Sequence, residues 1–465
     1  MTTSSMIACS RDLTSRLGAA FARAGEELSL VGGAVRDRLL GVEDVDLDFA
    51  TSARPVKTLH ILEGLGEGSA YTVGEKFGTI GLRTGEVTAE ITTYRATETY
   101  PAGSRKPRVV FGSTLLDDLS RRDFTVNAMA MDPLSGELID PLNGEEDLRR
   151  RFLRAVGDPS RRFREDPLRL LRAVRFASRL GFTIEPATWQ ALRAGASSLS
   201  AISRERVRDE YSKILTGPDP VLGLTLLRDG ELLAASVPGL LPLTAMPDHG
   251  PWHPLSLWDH TMRVVAGVPP GLVLRWAALL HDIAKPSTRT HEPSGRPRFF
   301  HHEEVGAHLA RQILGGLRYS NQVVDDVCLL VETHMQPHAY SDEWSDGAVR
   351  RLILRLGPLT GDAILLARAD ALGHSLSGTS AKGPKFDKLE ARIEALQHEP
   401  VESLKSPLNG DDLMERYRRP PGPWIKPIKA ALENEVLEGR LAPDDRQAAW
   451  RIADELAGSQ GVALP

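Results

Sequence analysis

Hydrophobic and polar residues in the first part of the chain follow patterns that predict short strands separated by turns and helices. Residues 12–27 have the spacing of a helix, and the apolar run Leu28–Val31 predicts a strand directly after it. Further runs of alternating or β-branched residues, with glycines between them, predict strands at Tyr71–Val73, Thr79–Arg83 and Val87–Tyr94. We therefore expect the first 140 or so residues to form a small α+β unit.

Beyond residue 150 the apolar positions recur at helical spacing instead. The buried sides of three predicted helices are formed, in chain order, by Leu170, Leu171, Val174 and Ala177; by Val207, Tyr211, Ile214 and Leu215; and by Ile428, Ala431, Leu432, Val436 and Leu437. The second of these helices, within Ser203–Leu215, is interpreted as an ordinary amphipathic helix and is assigned no chemistry. The expected fold class is α+β, with a mixed-sheet head followed by helical parts.

Composition narrows the class of protein. The chain has 465 residues, of which 41% are hydrophobic and 26% charged, as in soluble globular proteins of two to four domains. Cys9 and Cys328 are too few for a disulfide framework or a thiolate zinc site. No secretory signal pattern opens the chain and no run of about eighteen apolar residues occurs in it, so we expect a cytoplasmic protein with no membrane partner.

The formal net charge of −5 does not indicate a nucleic-acid binder, so any RNA contact must come from a local basic patch. Such a patch lies at residues 149–179, where eleven arginines face three acids. Arginine suits bidentate and stacking contacts with phosphates and bases. This segment is therefore expected to form the nucleic-acid and triphosphate face.

A stretch near the start of the chain combines two features of phosphate chemistry. Gly32 and Gly33, between a strand and a brief helix, let the backbone approach a ligand where helix N–H groups point outward, and Arg36 lies one turn further along. Asp46 and Asp48 alternate on the next strand, so their carboxylates face the same way. Each half alone is also typical of an ordinary turn or a solvated strand edge. Together they predict two-metal phosphoryl or nucleotidyl transfer.

In this order, the two features resemble the first motif of the polymerase-beta-type nucleotidyltransferases, in the version found in class II bacterial CCA-adding enzymes and poly(A) polymerases. The segment Asp118–Met129 matches the second motif of that family nearly residue for residue, and we expect a helix there that starts beside Asp123. The resemblance implies that Arg122 reaches the triphosphate, with Asn127 in the nucleotide site, while Arg121 holds a loop.

Two weaker candidates complete the predicted head. Glu90, on a predicted strand, is a candidate third acid beside the two aspartates, although strand glutamates are commonly just exposed. The polar stretch between Tyr94 and Val109 is interpreted as a surface loop. In the family that the chain resembles, a flexible loop lies here and helps the active site to change from one nucleotide to the next.

The acids and arginines that follow allow two interpretations. On the first, Asp166 is only the N-cap of a helix, and Glu165 with Arg169 is an i,i+4 pair. On the second, Asp166 accepts from the amino group that cytosine and adenine share, while Arg169 donates to the adjacent ring nitrogen; uracil and guanine present the reverse pattern. The family motif has this glutamate orienting the arginine, with Arg172 and Arg175 reaching the triphosphate.

Histidines and acids recur in the second half of the chain, and without cysteine they suit a divalent transition metal or Mg²⁺. A lone helical histidine is usually structural. Their order nevertheless resembles the HD superfamily of metal-dependent phosphohydrolases. That resemblance implies that a first divalent metal, such as Mg, Mn or Ni, is bound by His260, His281, Asp282 and Asp370. His302 and His334 are expected to line the cleft or to hold a second metal.

The resemblance implies a complete reaction. A tRNA 3′ hydroxyl attacks the α-phosphorus of CTP and then of ATP, at Mg²⁺ held by Asp46 and Asp48, and pyrophosphate leaves. The rivals are a poly(A) polymerase or an enzyme adding only CC or only A, and, in another class, an HD phosphohydrolase whose head merely binds RNA. The oligomeric state stays open.

The expected domains are a head at 12–150, a helical neck with the base-template motif at 151–240, an HD domain at 255–377 and a helical tail at 385–465. In the family that the chain resembles, the tail lies next to the tRNA elbow. Phosphatase and cyclic phosphodiesterase activity of the HD domain occurs in some members of that family only.

Overall fold

The structure is a computed structural model that describes residues 3–42, 46–66, 68–72, 78–85, 87–99, 108–246, 255–373, 383–396 and 405–459. Two compact units divide the chain: the first comprises the residues up to Leu241 with Gly316–Tyr319, and the second comprises Pro242–Gly315 and the residues from Ser320 onward. None of the helices in the described part of the chain has the length and apolarity that a bilayer crossing needs.

The first unit begins with a mixed α/β layer. Its elements are α1 (Thr3–Arg23), β1 (Leu28–Val31), α2 (Gly33–Leu39), β2 (Asp46–Thr51), α3 (Pro55–Gly64), β3 (Ser69–Tyr71), β4 (Thr79–Thr84), β5 (Val87–Thr93), β6 (Arg95–Thr99), β7 (Arg108–Phe111), α4 (Leu115–Ser120), β8 (Ala130–Met131), β9 (Leu138–Ile139) and α5 (Gly144–Arg149).

A seven-stranded sheet organises this layer, in the order β3-β4-β5-β2-β1-β8-β9. Strands β2 and β5 are parallel, and the other neighbours in the sheet pair antiparallel. Over the first four residues of β2, buried and exposed side chains alternate. Leu47 and Phe49 are buried in the core, while Asp46 and Asp48 are exposed on the other face. Burial of the two apolar side chains therefore fixes the direction of both carboxylates.

Helices make up most of the rest of the first unit. They and two short strands are β10 (Phe152–Leu153), α6 (Pro159–Glu165), α7 (Leu168–Leu180), β11 (Thr183–Ile184), α8 (Pro186–Gly195), α9 (Arg204–Leu215), α10 (Pro220–Asp229) and α11 (Leu232–Ser236). The predicted apolar sides of α7 and α9 are fully buried, which confirms the helical interpretation of both segments.

The described residues of the second unit are helical apart from one hairpin. Its elements are α12 (Leu257–Gly267), α13 (Leu272–Leu280), α14 (Lys285–Thr288), β12 (Arg289–His291), β13 (Pro297–Phe299), α15 (His302–Gly316), α16 (Asn321–Thr333), α17 (Gln336–Ala339), α18 (Asp346–Leu356), α19 (Thr360–Gly373), α20 (Gly383–Leu396), α21 (Gly410–Tyr417), α22 (Ile425–Leu437) and α23 (Arg446–Ser459). The last three helices pack around their own apolar core.

Several element predictions differ from the structure. Helix α1 starts earlier than predicted and ends at Arg23, because Gly25 turns the chain at a φ of 72°. The expected helix beside Asp123 is wrong: after α4 the chain forms only a short 3-10 turn at Thr125–Asn127. The predicted strand at Tyr71–Val73 is shifted to β3, and Val73 lies outside the described residues.

The interpretation of residues 94–109 as a loop is corrected in part. Both flanks of this segment pair as the antiparallel strands β6 and β7. Residues 100–107, between the two strands, lie outside the described residues, as do 374–377 at the predicted end of the HD domain. The polar Thr-Glu-Thr run of β6 gave no apolar alternation from which a strand could be predicted.

Candidate active site and metal centre

A glycine turn forms the floor of the candidate active site in the first unit. Gly32 has φ 70° and ψ −131°, a conformation that L side chains rarely adopt, and α2 starts at the next residue. A Cβ atom on Gly32 would lie 2.7 Å from Nη1 of Arg122. Glycine is therefore favoured by the backbone conformation, and a side chain here would also displace the guanidinium group of Arg122.

A cavity of about 520 Å³ opens beside this turn, entirely within the first unit. Its lining includes eleven of the residues predicted for the nucleotide site: Gly32, Gly33, Arg36, Asp46, Asp48, Arg122, Asn127, Asp166, Arg169, Arg172 and Arg175. Glu90 lies on β5 directly opposite Asp48 in the parallel register. The cavity thus combines two exposed carboxylates, which suit Mg²⁺, with a wall of guanidinium groups, which suits a triphosphate.

Buried acids hold the arginines of this wall in place. Arg36, which is 2% exposed, pairs with Asp37 at 2.8 Å and donates to the side-chain oxygen of Asn127. Arg172 pairs with Asp123 at 2.6 Å. Burial raises the pKa of the Asp123 carboxyl, but the charge and hydrogen bond of Arg172, the hydrogen bond from Asn127 and the charge of Arg169 together outweigh burial and lower that pKa to about 2. The guanidinium groups are therefore fixed before any anion arrives.

Asp118 gathers both arginines of the second motif. Its two oxygens accept from Arg121 at 2.6 Å and from Arg122 at 2.9 Å, and it is 1% exposed. The backbone N–H of Arg95, at the start of β6, also donates to it at 3.3 Å. Burial raises the pKa of Asp118, and the two arginines more than reverse this effect, so the pKa is lowered. One buried carboxylate thus connects the motif to the start of the hairpin.

The base-template residues lie where α6 ends and α7 begins. Glu165 pairs with Arg169 at 3.0 Å, as expected for an i,i+4 pair. Asp166, which is 6% exposed, accepts from the N–H of Leu168 at 3.1 Å, so it does contact the helix start. It also lines the cavity with Arg169, while Glu165 pairs with the arginine from behind. The structure shows the contact with the helix start and places Asp166 and Arg169 at the cavity, so the first interpretation does not exclude the second.

A second cluster of predicted residues lies within the second unit. His260, His281 and Asp370 form one group in which ligand atoms lie within 4.8 Å of one another, and Asp282, His302 and His334 form another. In the first group, Nε2 of His260 is 3.2 Å from Nε2 of His281 and 3.1 Å from Oδ1 of Asp370.

Asp282 connects the two groups. Its Oδ2 lies 3.2 Å from Nε2 of His281, and its Oδ1 lies 3.4 Å from Nε2 of His302. Oδ2 also lies 3.4 Å from Nε2 of His260 and 2.5 Å from Nζ of Lys285. The prediction placed Asp282 at the first metal alone, whereas the geometry places one carboxylate oxygen at each group.

The histidine tautomers are set by the backbone. Nδ1 of His281, His302 and His334 lies 2.7–2.8 Å from a carbonyl oxygen three residues earlier, so each Nδ1 is the donor and each Nε2 presents a lone pair to the cluster. Burial lowers the pKa of His334 to about 3, which keeps its ring neutral. For His260 burial lowers the pKa, but hydrogen bonds to Asp282 and Asp370 outweigh burial and raise it to about 9. Imidazole nitrogens and carboxylates without thiolates fit Mn, Ni or Mg better than a thiolate-selected metal.

Comparison with known proteins finds family matches in both halves of the chain. Residues 28–154 match the family described as Poly A polymerase head domain, residues 181–243 match the family described as probable RNA and SrmB-binding site of polymerase A, and residues 253–373 match the HD domain. The A-adding tRNA nucleotidyltransferase of Deinococcus radiodurans is 34% identical over 453 residues, which cover 93% of this chain and 96% of that protein. This chain belongs to the CCA-adding tRNA nucleotidyltransferase family.

Two further relatives carry the CCA-adding name. The CCA-adding enzyme of Geobacillus stearothermophilus is 33% identical, and the alignment covers 92% of this chain and 93% of that enzyme. The crystal structure of the Bacillus stearothermophilus CCA-adding enzyme in complex with CTP has a TM-score of 0.71 and 30% identity, over 97% of this chain and 98% of that one. The predicted family and fold class are confirmed.

Sequence reasoning missed three residues of this family member's sites. Helix α9 was assigned no chemistry, yet its Arg206 donates to both oxygens of Asp166, at 3.2 and 2.8 Å, and its buried Glu210 pairs with Arg175 at 3.1 Å. That interpretation is corrected. The signal was present, because Arg206 and Glu210 lie four residues apart and flank the buried Val207.

The third missed residue is His338, in α17. Its Nε2 lies 2.9 Å from Oδ2 of Asp370, the oxygen that faces away from the first group. The ring packs edge-on against Phe386 at a centroid distance of 5.5 Å, and Lys385 donates to the backbone oxygen of His338 at 2.8 Å. Helix α20 thereby braces a histidine that in turn contacts a candidate metal ligand.

Proposed function

We propose that this chain adds the sequence CCA to the 3′ end of tRNA from CTP and ATP, with release of pyrophosphate. The observation that carries the proposal is one cavity lined by the aspartate pair of β2, the glycine turn and the pair Asp166 and Arg169. These are the parts that nucleotide selection and nucleotidyl transfer each require. The curated relatives above are named for tRNA nucleotide addition.

Each part has a proposed role. Asp46 and Asp48 would hold Mg²⁺, which would stabilise the negative charge on the attacking hydroxyl oxygen and on the leaving pyrophosphate. The N–H groups at the start of α2, with Arg36, Arg122, Arg172 and Arg175, hold the triphosphate. Asn127 positions Arg36, whose side chain donates to it.

Base choice is proposed to reside in α6 and α7. Asp166 accepts from the exocyclic amino group of cytosine or adenine, and Arg169 donates to the neighbouring ring nitrogen. Glu165 holds Arg169 in orientation through its 3.0 Å ion pair. Uracil and guanine place an acceptor against Asp166 and a donor against Arg169, so both are rejected.

The extent of addition is the part that the comparisons leave open, since relatives with A-adding, CCA-adding and CC-adding names all match more than nine-tenths of the chain at 33–34% identity. The test uses purified protein, labelled CTP or ATP, and tRNA ending before CCA, after C and after CC. We expect C on the first two and A only on the third. Addition of A to the third substrate with no addition of C to the first two would overturn full CCA addition in favour of A addition. Addition of C to the first two with no A on the third would favour CC addition, and repeated A addition without C would favour polyadenylation.

The domain division into head, neck, HD domain and tail, and the contact of the tail with tRNA, are also proposed. A phosphohydrolase activity is proposed for the second unit. The supporting observation is a cavity of about 260 Å³ at Asp282, His302, His334 and Asp370. Lys285, Arg296 and Arg298 also line it. Bound divalent ions supply Lewis-acid activation of a phosphate ester there.

Hydrolysis of a small phosphate ester with added Mg²⁺, Mn²⁺ or Ni²⁺ tests this second activity. An Asp46→Ala, Asp48→Ala variant is expected to keep the hydrolysis and lose nucleotide incorporation. A His281→Ala variant is expected to show the opposite pattern. Loss of both activities in either variant would mean that the two sites are not chemically separate.

A further inference from the structure

Phe176 is an aromatic side chain to which sequence analysis gave no role, and it lines the nucleotide cavity although it is only 7% exposed. Three guanidinium groups surround its ring. Their central carbons lie 5.4 Å (Arg36), 5.3 Å (Arg172) and 4.4 Å (Arg175) from the ring centroid. All three distances are within the range of about 6 Å in which a cation is attracted by an aromatic quadrupole.

The ring is itself fixed from the side of the second motif. Phe124 packs edge-on against Phe176, with ring centroids 5.9 Å apart and an interplanar angle of 75°. Phe124 is fully buried beside Asp123, the partner of Arg172. Phe176 therefore contacts residues from the glycine-turn motif, from the second motif and from the base-template helix, which are far apart in the sequence.

Carboxylates alone do not fix the three guanidinium planes. Arg36 pairs with Asp37, Arg172 with Asp123 and Arg175 with Glu210, and each ion pair holds one edge of a guanidinium group. The ring contacts these groups as well, and its quadrupole offsets part of the repulsion among three like charges in one cavity. Edge and ring contacts together leave the remaining N–H groups for a ligand.

We propose that Phe176 is a positioning residue for the triphosphate, which holds Arg36, Arg172 and Arg175 in the geometry that a nucleotide requires. This inference rests on the proposed nucleotidyl transfer. This role concerns the triphosphate, which CTP and ATP share, so Phe176 acts on the binding of both nucleotides alike. Pyrophosphate carries phosphate groups like those of the two nucleotides, so its binding depends on Phe176 in the same way.

The first test compares Phe176→Leu and Phe176→Tyr with wild type on tRNA substrates. For Phe176→Leu we expect KM for CTP and for ATP to rise together by about tenfold, since tenfold corresponds to loss of about 1.4 kcal/mol of binding. We expect kcat and the preference for C or A to change little, and the tyrosine variant to restore KM. Phe182→Leu, a similarly buried phenylalanine just after the same helix, is the matched control and is expected to leave KM unchanged.

The second test separates the quadrupole from packing, in case the leucine variant folds poorly. Incorporation of mono-, di- and trifluorinated phenylalanine at position 176 keeps the ring and progressively weakens its quadrupole. We expect KM for both nucleotides and the inhibition constant of pyrophosphate to rise with each fluorine, at an unchanged thermal midpoint. A flat series, or equal KM in the leucine and tyrosine variants, would overturn the proposal. Absence of incorporation by wild type would instead overturn the proposed function.

Discussion

Arg206 of α9 and Asp166 form a bidentate ion pair, with Nη1 3.2 Å from Oδ1 and Nη2 2.8 Å from Oδ2. Both side chains line the nucleotide cavity. With the N–H of Leu168, three of the roughly four acceptor positions of this carboxylate are occupied, which leaves one for a ligand. The aspartate that is proposed to read a base is thus oriented by a residue from another helix, 40 positions later.

Arg206→Gln is expected to impair base choice more than nucleotide addition as such. Without the bidentate contact the Asp166 carboxylate can rotate, and we expect the ratio of CTP to UTP incorporation to fall by about tenfold, as loss of one charge-assisted hydrogen bond implies. Single-nucleotide incorporation with competing CTP and UTP measures it. Arg193→Gln removes an exposed ion pair on α8 and serves as control. An unchanged ratio would assign Arg206 to stability alone.

A double-mutant cycle distinguishes a shared function from two separate ones. Asp166→Ala is expected to lower the preference for C and A over U and G. The loss in the free energy of unfolding is expected to be smaller than the loss in discrimination between bases. Because the two residues form one ion pair, the double variant Asp166→Ala, Arg206→Ala is expected to lose little more discrimination between bases than Asp166→Ala alone. The coupling free energy between the two changes is then roughly 0.5–3 kcal/mol. If Asp166→Ala leaves base choice intact, Asp166 is only a cap.

Asp46→Asn and Asp48→Asn are each expected to lower nucleotide incorporation by about a thousandfold or more, since each removes a charged metal ligand worth several kcal/mol in the transition state. Both residues are exposed on β2, so the thermal midpoint is expected to stay close to that of wild type. Asp229→Asn, at the exposed end of α10, is the control. Retention of activity in both variants would remove them from the catalytic site.

Asp123 links the active site to acid stability. Its pKa falls from 3.8 to about 2 on folding, so its stabilising effect is complete above pH 3.8 and is lost as the pH falls to about 2. The contribution is roughly 2 kcal/mol at most. We expect Asp123→Asn to flatten the dependence of unfolding free energy on pH in this window, as measured by urea unfolding between pH 4.5 and 2.5. Parallel curves for wild type and variant would contradict this expectation.

His338 is expected to support the metal centre through Asp370, whose outward oxygen it contacts. His338→Ala is expected to weaken binding of Mn²⁺ or Ni²⁺ by about 10-fold to 100-fold, the usual effect of losing a partner of a metal ligand. His338→Gln, which keeps an N–H donor, is expected to recover part of this affinity. Titration calorimetry on the full chain measures both, with His308→Ala, on the exposed side of α15, as control. Equal affinities would exclude the role.

Whether a feature could be predicted from the sequence depends on how far apart in the chain the interacting residues lie. Local motifs such as the glycine turn, the β2 aspartates and the order of histidines were predictable, because spacing along one strand or helix fixes them. The partners of these residues were not. Arg206 is 40 residues from Asp166, and His338 is 32 residues from Asp370, and only tertiary packing brings each pair together.

Two element errors have the same origin. Residues 124–129 are apolar enough for a helix, yet Phe124 adopts an extended conformation at φ −129° and packs against Phe176. β6 is polar in sequence but gains ladder hydrogen bonds from β7. In both segments tertiary contacts overrode the local pattern.

The origin of Arg206 and Glu210 in α9 bears on protein engineering. A fragment cut after α7, at Leu180, keeps the aspartates of β2 together with Asp166 and Arg175 but lacks the side chains that orient Asp166 and Arg175. Chimaeras that exchange the head between relatives must therefore carry residues up to at least Leu215, the end of α9. Crossovers placed between α7 and α9 would separate Asp166 and Arg175 from the side chains with which they pair.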